Sequence, residues 1–230
     1  MVAECKPGSP GRLAVASIIF DLDGVLIDSG GDIANAANYT LEALGMSPLP
    51  KALVASYVGG GAESILRLCL GPGSPELFER ALPIFKERYA ERCLVETTLY
   101  PGVREVLAGC QARGIPMGIA TNKIERVTLR ILEGTGIAGY FAAVVGPERV
   151  AHRKPDPEAL QIIMTEIGAA PATTLMVGDS PNDILAGRNA GCQTCGVTYG
   201  VGTAREIGAA RPDVIIDEAV RLLDHLEPHG

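Results

Sequence analysis

The chain of 230 residues lacks any run of lysine and arginine and has a net charge of -7, from 27 acidic and 20 basic residues. It therefore lacks the basic surface that binding to nucleic acid or to an acidic membrane needs. Long hydrophobic runs are missing as well: no segment has the apolar length of a transmembrane helix, and residues 1–12 contain no apolar stretch of a secretory signal. We expect a cytoplasmic protein that acts on small molecules, with residues 1–12 as a flexible extension.

Zinc-site spacing and a dense disulfide framework are also absent, although the chain contains six cysteines. Only Cys192 and Cys195 form a C-x-x-C, which is a weak signal for a redox pair. Because they lead into an apolar run, we interpret them as buried thiols at a junction between a loop and a strand. The three histidines are scattered; His225 and His229 are expected in a C-terminal tail, and neither is a convincing ligand.

Two aspartates, Asp21 and Asp23, follow a short apolar run and directly precede Gly24. The run at 18–20 predicts a strand that is buried on both faces of a parallel sheet, with a ligand crevice beyond its carboxyl end. Because side chains alternate along a strand, the two carboxylates are expected to point to the same side. Their repulsion favours a shared proton or a divalent cation. The pair therefore predicts a metal site, acid/base chemistry, or both.

From about residue 100 onward, helical patterns alternate with short apolar runs. Strands are expected at 116–120, 142–145, 175–177, 194–198 and 214–216. Helices are expected at 103–113, 124–133, 157–167 and 181–190. Strands separated by helices of this length imply right-handed crossovers, so we predict an α/β fold with a doubly wound, Rossmann-like parallel sheet.

The segment 30–98 has a different pattern, because it predicts helices only, at 33–44, 51–58, 62–70 and 75–93. We interpret it as a helical cap domain inserted into a catalytic core formed by residues 13–29 and 99–230. An insert beside the carboxyl end of the first strand would lie over the aspartate pair, where a lid belongs. A helical addition with a purely structural role is the alternative.

Polar residues also follow the strand at 116–120, where Thr121 and Asn122 stand at the start of a helix. Backbone N–H groups at a helix N-terminus bind anions, and the threonine hydroxyl can add a donor. Asn122 with Glu125 three residues later also has the spacing of a capping box. Anion binding and capping are compatible.

More acidic residues follow the strand at 175–177: Asp179 lies just beyond it, and Asp183 takes the third position of the next helix after Ser180. Asp183 alone is typical of a helix cap. With Asp179 and the first aspartate pair it completes a four-carboxylate cluster, and such hard oxygen ligands suit Mg²⁺. Lys154, placed before a turn at the same edge, could supply the fixed cation that acids and a phosphate need.

Four segments in this order resemble the haloacid dehalogenase-like superfamily: FDLDGVLIDS, ATNK, RKPDP and VGDSPND. The resemblance covers nearly the whole chain beyond residue 12, including a helical cap between the first two segments. Within the superfamily, the chain is most similar to phosphoglycolate phosphatases, on YVGGGAESIL, ATNK, and AGCQTCGVTYGVG followed by RPDVIID. The valine after Gly24 occurs in several branches, including sugar-phosphate mutases, and does not discriminate between them.

The resemblance implies a role for each matching residue. Asp21 would be the nucleophile that forms an aspartyl-phosphate, and Asp23 the general acid and then the general base. Magnesium would be held by the Asp21 carboxylate, the Asp23 backbone carbonyl and Asp179, with support from Asp183. The substrate would be bound by Gly24, Thr121, Asn122 and Lys154. Of these, Thr121 and Lys154 would also be catalytic, since Thr121 holds phosphoryl oxygens and Lys154 neutralises charge on the nucleophile and the phosphate.

The implied activity is magnesium-dependent hydrolysis of a small phosphorylated metabolite, with 2-phosphoglycolate as the best candidate, by a monomer or homodimer. A sugar phosphomutase of the beta-phosphoglucomutase type and a phosphatase for pyrophosphate, a nucleotide or a sugar phosphate stay open. A dehalogenase needs no acid such as Asp23, and a phosphonate hydrolase needs a cap lysine, for which neither Lys51 nor Lys86 stands out. A phospho-accepting signalling receiver is usually about half this size and has no helical insert.

Overall fold

The computed structural model describes residues 13–72 and 75–226, so the expected extension at 1–12 lies outside the described residues. The strands are β1 (Ser17–Phe20), β2 (Ile27–Asp28), β3 (Thr98–Leu99), β4 (Met117–Ala120), β5 (Phe141–Val145), β6 (Thr174–Gly178), β7 (Gln193–Val197) and β8 (Val214–Ile216). The helices are α1 (Gly30–Ala43), α2 (Lys51–Ala55), α3 (Gly61–Leu70), α4 (Pro75–Arg92), α5 (Val103–Ala112), α6 (Glu125–Gly134), α7 (Glu158–Ile167), α8 (Pro181–Asn189), α9 (Ala204–Ala210) and α10 (Leu222–His225).

Six of the strands form a parallel sheet in the order β5-β4-β1-β6-β7-β8. β1 lies at the point where the chain order reverses, with β4 on one side and β6 on the other. Phe20, the last residue of β1, pairs with Ile119 of β4 and with Val177 of β6. The carboxyl ends of these three strands therefore lie side by side, at the place where an open α/β sheet binds its ligand.

The sheet is covered on both faces, which confirms the predicted doubly wound α/β fold. Every residue of β1 is buried. Alternation along the strand divides its side chains between two hydrophobic clusters: Ile18 and Phe20 belong to one, and Ile19 packs with Met176 in the other. β1 is apolar from Ile18 to Phe20 because these side chains pack against helices on both faces of the sheet.

Four helices, α1 to α4, lie in the segment between β2 and β3, as the helical pattern of 30–98 predicts. β2 and β3 pair antiparallel, with Ile27 opposite Leu99, and so join the entry and exit of the segment. A pairing of two residues is too short to give a sequence pattern, and it was not expected. The domain bounds themselves stay a prediction, because one hydrophobic cluster continues from Phe20 of the sheet to Leu66 and Phe85 of the insert.

The C-terminal region up to residue 226 differs from the expected tail, whereas His229 lies outside the described residues. His225 ends the short helix α10, and its carbonyl accepts a 2.8 Å hydrogen bond from the Leu13 amide. α9 was also not expected, although Thr203 and Glu206 form a capping box at its start. The short apolar pattern that follows this box is too weak to predict a helix without the tertiary contacts that stabilise it.

The cysteines of the described residues are all buried and free, and Cys192 and Cys195 lie where β7 begins and in its interior. This confirms that the C-x-x-C consists of buried thiols. Among the described residues, no helix combines the length and the apolarity that crossing a bilayer requires.

Candidate active site

The ends of β1, β4 and β6 bring the polar residues of the sequence motifs to one edge of the sheet. The ladder continues one residue past two of the strands, because the Asp21 amide donates to Val177 and the Thr121 amide donates to Val145. These bonds fix where the two side chains emerge. Buried polar residues at this edge are Asp21, Asp23, Thr121, Lys123, Lys154, Asp179 and Asp183.

Three carboxylates form a tight group: one oxygen each of Asp21, Asp179 and Asp183 lies within 4.8 Å of the others. Asp23 is not part of this group, although it lines the same cavity as Asp21. β1 ends at Phe20 and the chain then turns, with the Gly24 amide donating to the Ile27 carbonyl at 3.0 Å.

Lys154 joins the carboxylate group through all three N–H bonds of its ammonium. Its Nζ lies 2.8 Å from Asp21 Oδ1, 2.7 Å from Asp183 Oδ1 and 2.6 Å from the Ala120 carbonyl oxygen. The other Asp183 oxygen accepts from the Ser180 amide and hydroxyl, and the two residues form a capping box, which agrees with the helix cap predicted at this position. Asp183 therefore both starts α8 and orients the lysine.

Asp179 is held by backbone amides and by close backbone packing. Its Oδ2 accepts a 2.7 Å hydrogen bond from the Val201 amide. Gly24 has a positive φ of 80°, and a Cβ there would lie 1.9 Å from the same oxygen, so only glycine fits. The Gly24 amide is bonded to the Ile27 carbonyl. The structure therefore shows a packing role for Gly24 against Asp179, and its contact with substrate stays a prediction.

Electrostatics at this edge favour protons or a cation. Burial raises the pKa of Asp21 to about 8, although Lys154 opposes the shift, and burial with the Asp183 charge raises the pKa of Asp179 to about 7. Burial alone would lower the pKa of Lys154, but Asp183 and Asp21 raise it above its usual range. The lysine stays charged while the carboxylates remain under-neutralised.

Asp23 pairs with a second buried lysine, Lys123, which is not among the site residues predicted from the sequence. Lys123 Nζ lies 3.0 Å from Asp23 Oδ1 and donates to the Tyr89 hydroxyl, while the Ser29 hydroxyl also donates to Asp23. Lys123 comes directly after Thr121 and Asn122, and this position beside two predicted site residues could have indicated that it belongs to the site. Tyr89 lies on α4 and stacks on Phe85, and no local pattern indicates that it reaches the site.

The buried charges fit a divalent cation. Within the described residues, four carboxyl groups at this edge face two ammonium groups, so ionisation of all four leaves two negative charges without compensation. Buried charges without partners are costly, and a divalent ion supplies the missing charge. The donors are carboxylate and carbonyl oxygens, which magnesium prefers.

A small cavity lies between the sheet edge and the helical segment, with about 30 Å³ open to the centres of water molecules. Asp21, Asp23 and Thr121 line its floor. The helical segment contributes a largely apolar ceiling, which consists of Ile33, Val58, Gly59, Gly61, Ala62, Ile65, Phe85 and Tyr89. The insert thus covers the acidic site, and the space left suits a small ligand.

Thr121 and Asn122 have different surroundings. Thr121 is buried beside the carboxylates, whereas the Asn122 amide nitrogen donates to the Gly59 carbonyl oxygen of the insert at 3.0 Å. The capping box of Asn122 with Glu125 is wrong, because Ile124 is the N-cap of α6 and the Asn122 side chain faces the insert instead. The Asn122 side chain therefore links the edge of the sheet to the helical insert through a hydrogen bond.

A family model described as haloacid dehalogenase-like hydrolase matches residues 18–197. The chain belongs to the haloacid dehalogenase-like hydrolases. The phosphoglycolate phosphatase of Pseudomonas putida is 38% identical over 223 residues, which cover 94% of this chain and 80% of that protein. That of Photobacterium profundum is 38% identical over 214 residues, covering 90% and 93%. The crystal structure of a predicted phosphoglycolate phosphatase from Haemophilus somnus has a TM-score of 0.85 at 30% identity, covering 93% and 99%.

This hydrolase is a phosphatase similar to the phosphoglycolate phosphatases, and the alternatives within and outside the family fit less well. Lys51 is exposed and pairs with Glu96 at 3.0 Å, so it does not serve as the cap lysine of a phosphonate hydrolase. Among the described residues of the insert, no lysine lines the cavity. A signalling receiver is excluded by the family match and by the helical insert.

Proposed function

We propose that this phosphatase hydrolyses a small phosphomonoester, 2-phosphoglycolate being the best candidate, through an aspartyl-phosphate intermediate and with magnesium as cofactor. The observation that carries the proposal is the buried Asp21 carboxylate, which lies on the cavity floor and is held by Lys154 beside Asp179 and Asp183. The relatives named phosphoglycolate phosphatase cover at least 90% of the chain, which supports the choice of substrate.

In the first step, Asp21 attacks phosphorus in line with the ester oxygen. Lys154 binds Oδ1, so we assign the attack to Oδ2. The bond from aspartate oxygen to phosphorus forms as the ester P–O bond breaks. Asp23, on the same cavity, gives its proton to the leaving oxygen.

In the second step, water hydrolyses the aspartyl-phosphate. Asp23, now a carboxylate, takes a proton from the attacking water, and phosphate leaves with Asp21 restored. The Thr121 hydroxyl holds a phosphoryl oxygen, and the Lys154 ammonium balances negative charge on the phosphoryl group and Asp21. Such transfer depends mainly on positioning and charge neutralisation, which fixed buried groups supply.

Asp21, Asp179 and the Asp23 backbone carbonyl would hold the magnesium ion, with Asp183 supporting them through Lys154. When bound, the ion neutralises charge on the phosphoryl oxygens. Asp183 is assigned a supporting role because its oxygens already bond Lys154 and Ser180. Residues 30–98 act as the cap that covers the reaction, supported by the Asn122 contact with Gly59.

We further propose that the enzyme works in the cytoplasm, as a monomer or homodimer. The free state of the buried cysteines in the described residues suits a reducing compartment.

The test is phosphate release by the purified protein from 2-phosphoglycolate, glucose 6-phosphate, a nucleoside monophosphate and pyrophosphate, with and without magnesium. Magnesium-dependent release, fastest from 2-phosphoglycolate, is expected. No release from any substrate, or full activity of Asp21→Asn, contradicts a hydrolase. Interconversion of β-glucose 1-phosphate and glucose 6-phosphate with little phosphate release indicates the mutase instead.

A further inference from the structure

The ammonium of Lys123 is a buried cation, and one of its N–H donors has no acceptor among the described residues. An ammonium has three N–H donors. The described residues give it two acceptors, Asp23 Oδ1 at 3.0 Å and the Tyr89 hydroxyl oxygen. The side chain is only 3% exposed, so bulk water does not compete for the third donor. The third N–H is therefore available to a ligand in the cavity that Lys123 lines.

Lys123 also differs in charge from every other described residue that lines this cavity. The lining contains two carboxylates, a few polar groups and many apolar side chains, and Lys123 is its one cation within the described residues. Lys154 sits behind Asp21, with all three donors occupied. An anionic group on a leaving group would thus find a single positive partner.

We propose that Lys123 binds a carboxylate on the leaving group, and that the enzyme thereby selects small phosphomonoesters with a carboxylate close to the ester oxygen. The inference rests on the proposed function, because it assumes that the phosphoryl group meets Asp21 and the ester oxygen meets Asp23. It extends that function by assigning a residue to substrate choice.

The positions of Asp23 and Lys123 set the length of the leaving group. Their charged atoms are 3.0 Å apart, so a group whose ester oxygen contacts Asp23 has its next two atoms within reach of the ammonium. A carboxylate one carbon from the ester oxygen meets this requirement. A sugar does not, because its hydroxyls would face a ceiling made mainly of apolar side chains such as Ile33, Ile65 and Phe85.

Two substrates with the same two-carbon skeleton test the proposal, 2-phosphoglycolate and ethyl phosphate, which lacks the carboxylate. Lys123→Met keeps the unbranched stem of the side chain, one atom shorter, and removes its charge. We expect kcat/KM to fall by about 100-fold for 2-phosphoglycolate and by less than about 10-fold for ethyl phosphate, as loss of one charged hydrogen bond predicts. Equal losses on both substrates overturn the proposal, since they show that Lys123 acts only through Asp23.

Lys51→Met is the matched control, because it removes an exposed lysine of the insert that lies outside the cavity. It should leave the preference for 2-phosphoglycolate unchanged. A change in that preference as large as the one from Lys123→Met overturns the proposal, because the effect would then not be specific to a lysine that lines the cavity.

Competition in the wild-type enzyme keeps the test valid even if Lys123→Met does not fold. The probes are 3-phosphonopropionate and propylphosphonate, in which CH₂ replaces the ester oxygen. At least about 10-fold tighter inhibition by the carboxylated probe supports binding of a carboxylate by a cation of the cavity, and Lys123 is the one cation among its described lining residues. Equal inhibition constants overturn the proposal. Tighter inhibition together with hydrolysis of some other monoester, but not of 2-phosphoglycolate, contradicts only the proposed substrate.

Discussion

The Lys154 ammonium lies 2.8 Å from Asp21 Oδ1, and both side chains are more than nine-tenths buried. The same ammonium bonds Asp183 at 2.7 Å and the Ala120 carbonyl, so it can move only if buried bonds break. The lysine thus fixes the carboxylate that we assign as nucleophile and compensates part of its charge.

Replacing this lysine should cost activity and stability together. Lys154→Met leaves Asp21 and Asp183 without a buried partner, so we expect about 3–5 kcal/mol lower free energy of unfolding in urea. We expect kcat for phosphate release to fall about 100- to 1000-fold, as for loss of one fixed stabilising group. Lys51→Met, at an exposed pair, is the control and should change unfolding by less than about 1 kcal/mol. A Lys154→Met enzyme with the kcat of the wild type would refute this role.

The proposed role of Asp23 as general acid predicts that the effect of its substitution depends on the leaving group. Ethyl phosphate has a basic leaving alkoxide that needs a proton, whereas p-nitrophenolate leaves without one. Asp23→Asn should therefore lower kcat/KM about 100- to 10,000-fold for ethyl phosphate and much less for p-nitrophenyl phosphate. This parameter reports only the steps up to formation of the aspartyl-phosphate. The same loss with both substrates would argue that Asp23 only shapes the site.

The close approach of Gly24 to Asp179 predicts a specific loss of metal affinity. A Cβ at Gly24 would lie 1.9 Å from Asp179 Oδ2, so Gly24→Ala must displace that carboxylate. We expect a higher magnesium concentration for half-maximal activity, in addition to about 1–3 kcal/mol of lost stability. Gly45→Ala is matched in backbone, with φ of 76° and nothing within 4 Å of the added Cβ. It should lose stability without changing the magnesium requirement, and a shared shift in that requirement would contradict the prediction.

The raised pKa values predict how pH and magnesium affect stability. Burial raises the pKa of Asp179 from 3.8 to about 7 and that of Asp21 to about 8. A carboxyl with a raised folded-state pKa contributes stability that is present below the unfolded pKa and lost as pH rises through the folded pKa. The metal-free protein should therefore lose stability as pH rises from about 4 to about 8.

The proposed magnesium ion would replace these protons, so the increase in melting temperature on adding magnesium should be larger at about pH 8 than at about pH 6. Thermal unfolding followed by circular dichroism, with EDTA or with magnesium, measures both effects. Asp179→Asn removes one of the two titrations and should flatten the dependence. A magnesium effect that is equal at both pH values would contradict the proposed competition.

Local patterns predicted the parts of the site that lie within one strand and its following turn. The apolar run before Asp21 predicts β1, and the run before Asp179 predicts β6, because a strand buried on both faces must be apolar throughout. Parallel pairing then brings the two aspartates to the same edge. The capping box between Ser180 and Asp183 was likewise readable from spacing.

The remaining parts of the site depend on contacts between distant segments. Tyr89 and Lys123 are 34 positions apart, and their hydrogen bond exists only because α4 packs against α6, just after the end of β4. Asn122 bonds Gly59 across 63 positions, although its local spacing favours a capping box with Glu125. Tertiary contacts override local preferences here, so the sequence alone did not identify the cavity ceiling or the role of Lys123.

The most direct test of Asp21 as the nucleophile is to trap the aspartyl-phosphate intermediate on its side chain. Borohydride reduces an aspartyl-phosphate to homoserine, and peptide mass spectrometry locates the change along the chain. With 2-phosphoglycolate and magnesium, we predict homoserine at position 21 in the wild type and none at this position without substrate. No conversion during turnover, or conversion at another aspartate such as Asp179, would contradict Asp21 as the nucleophile.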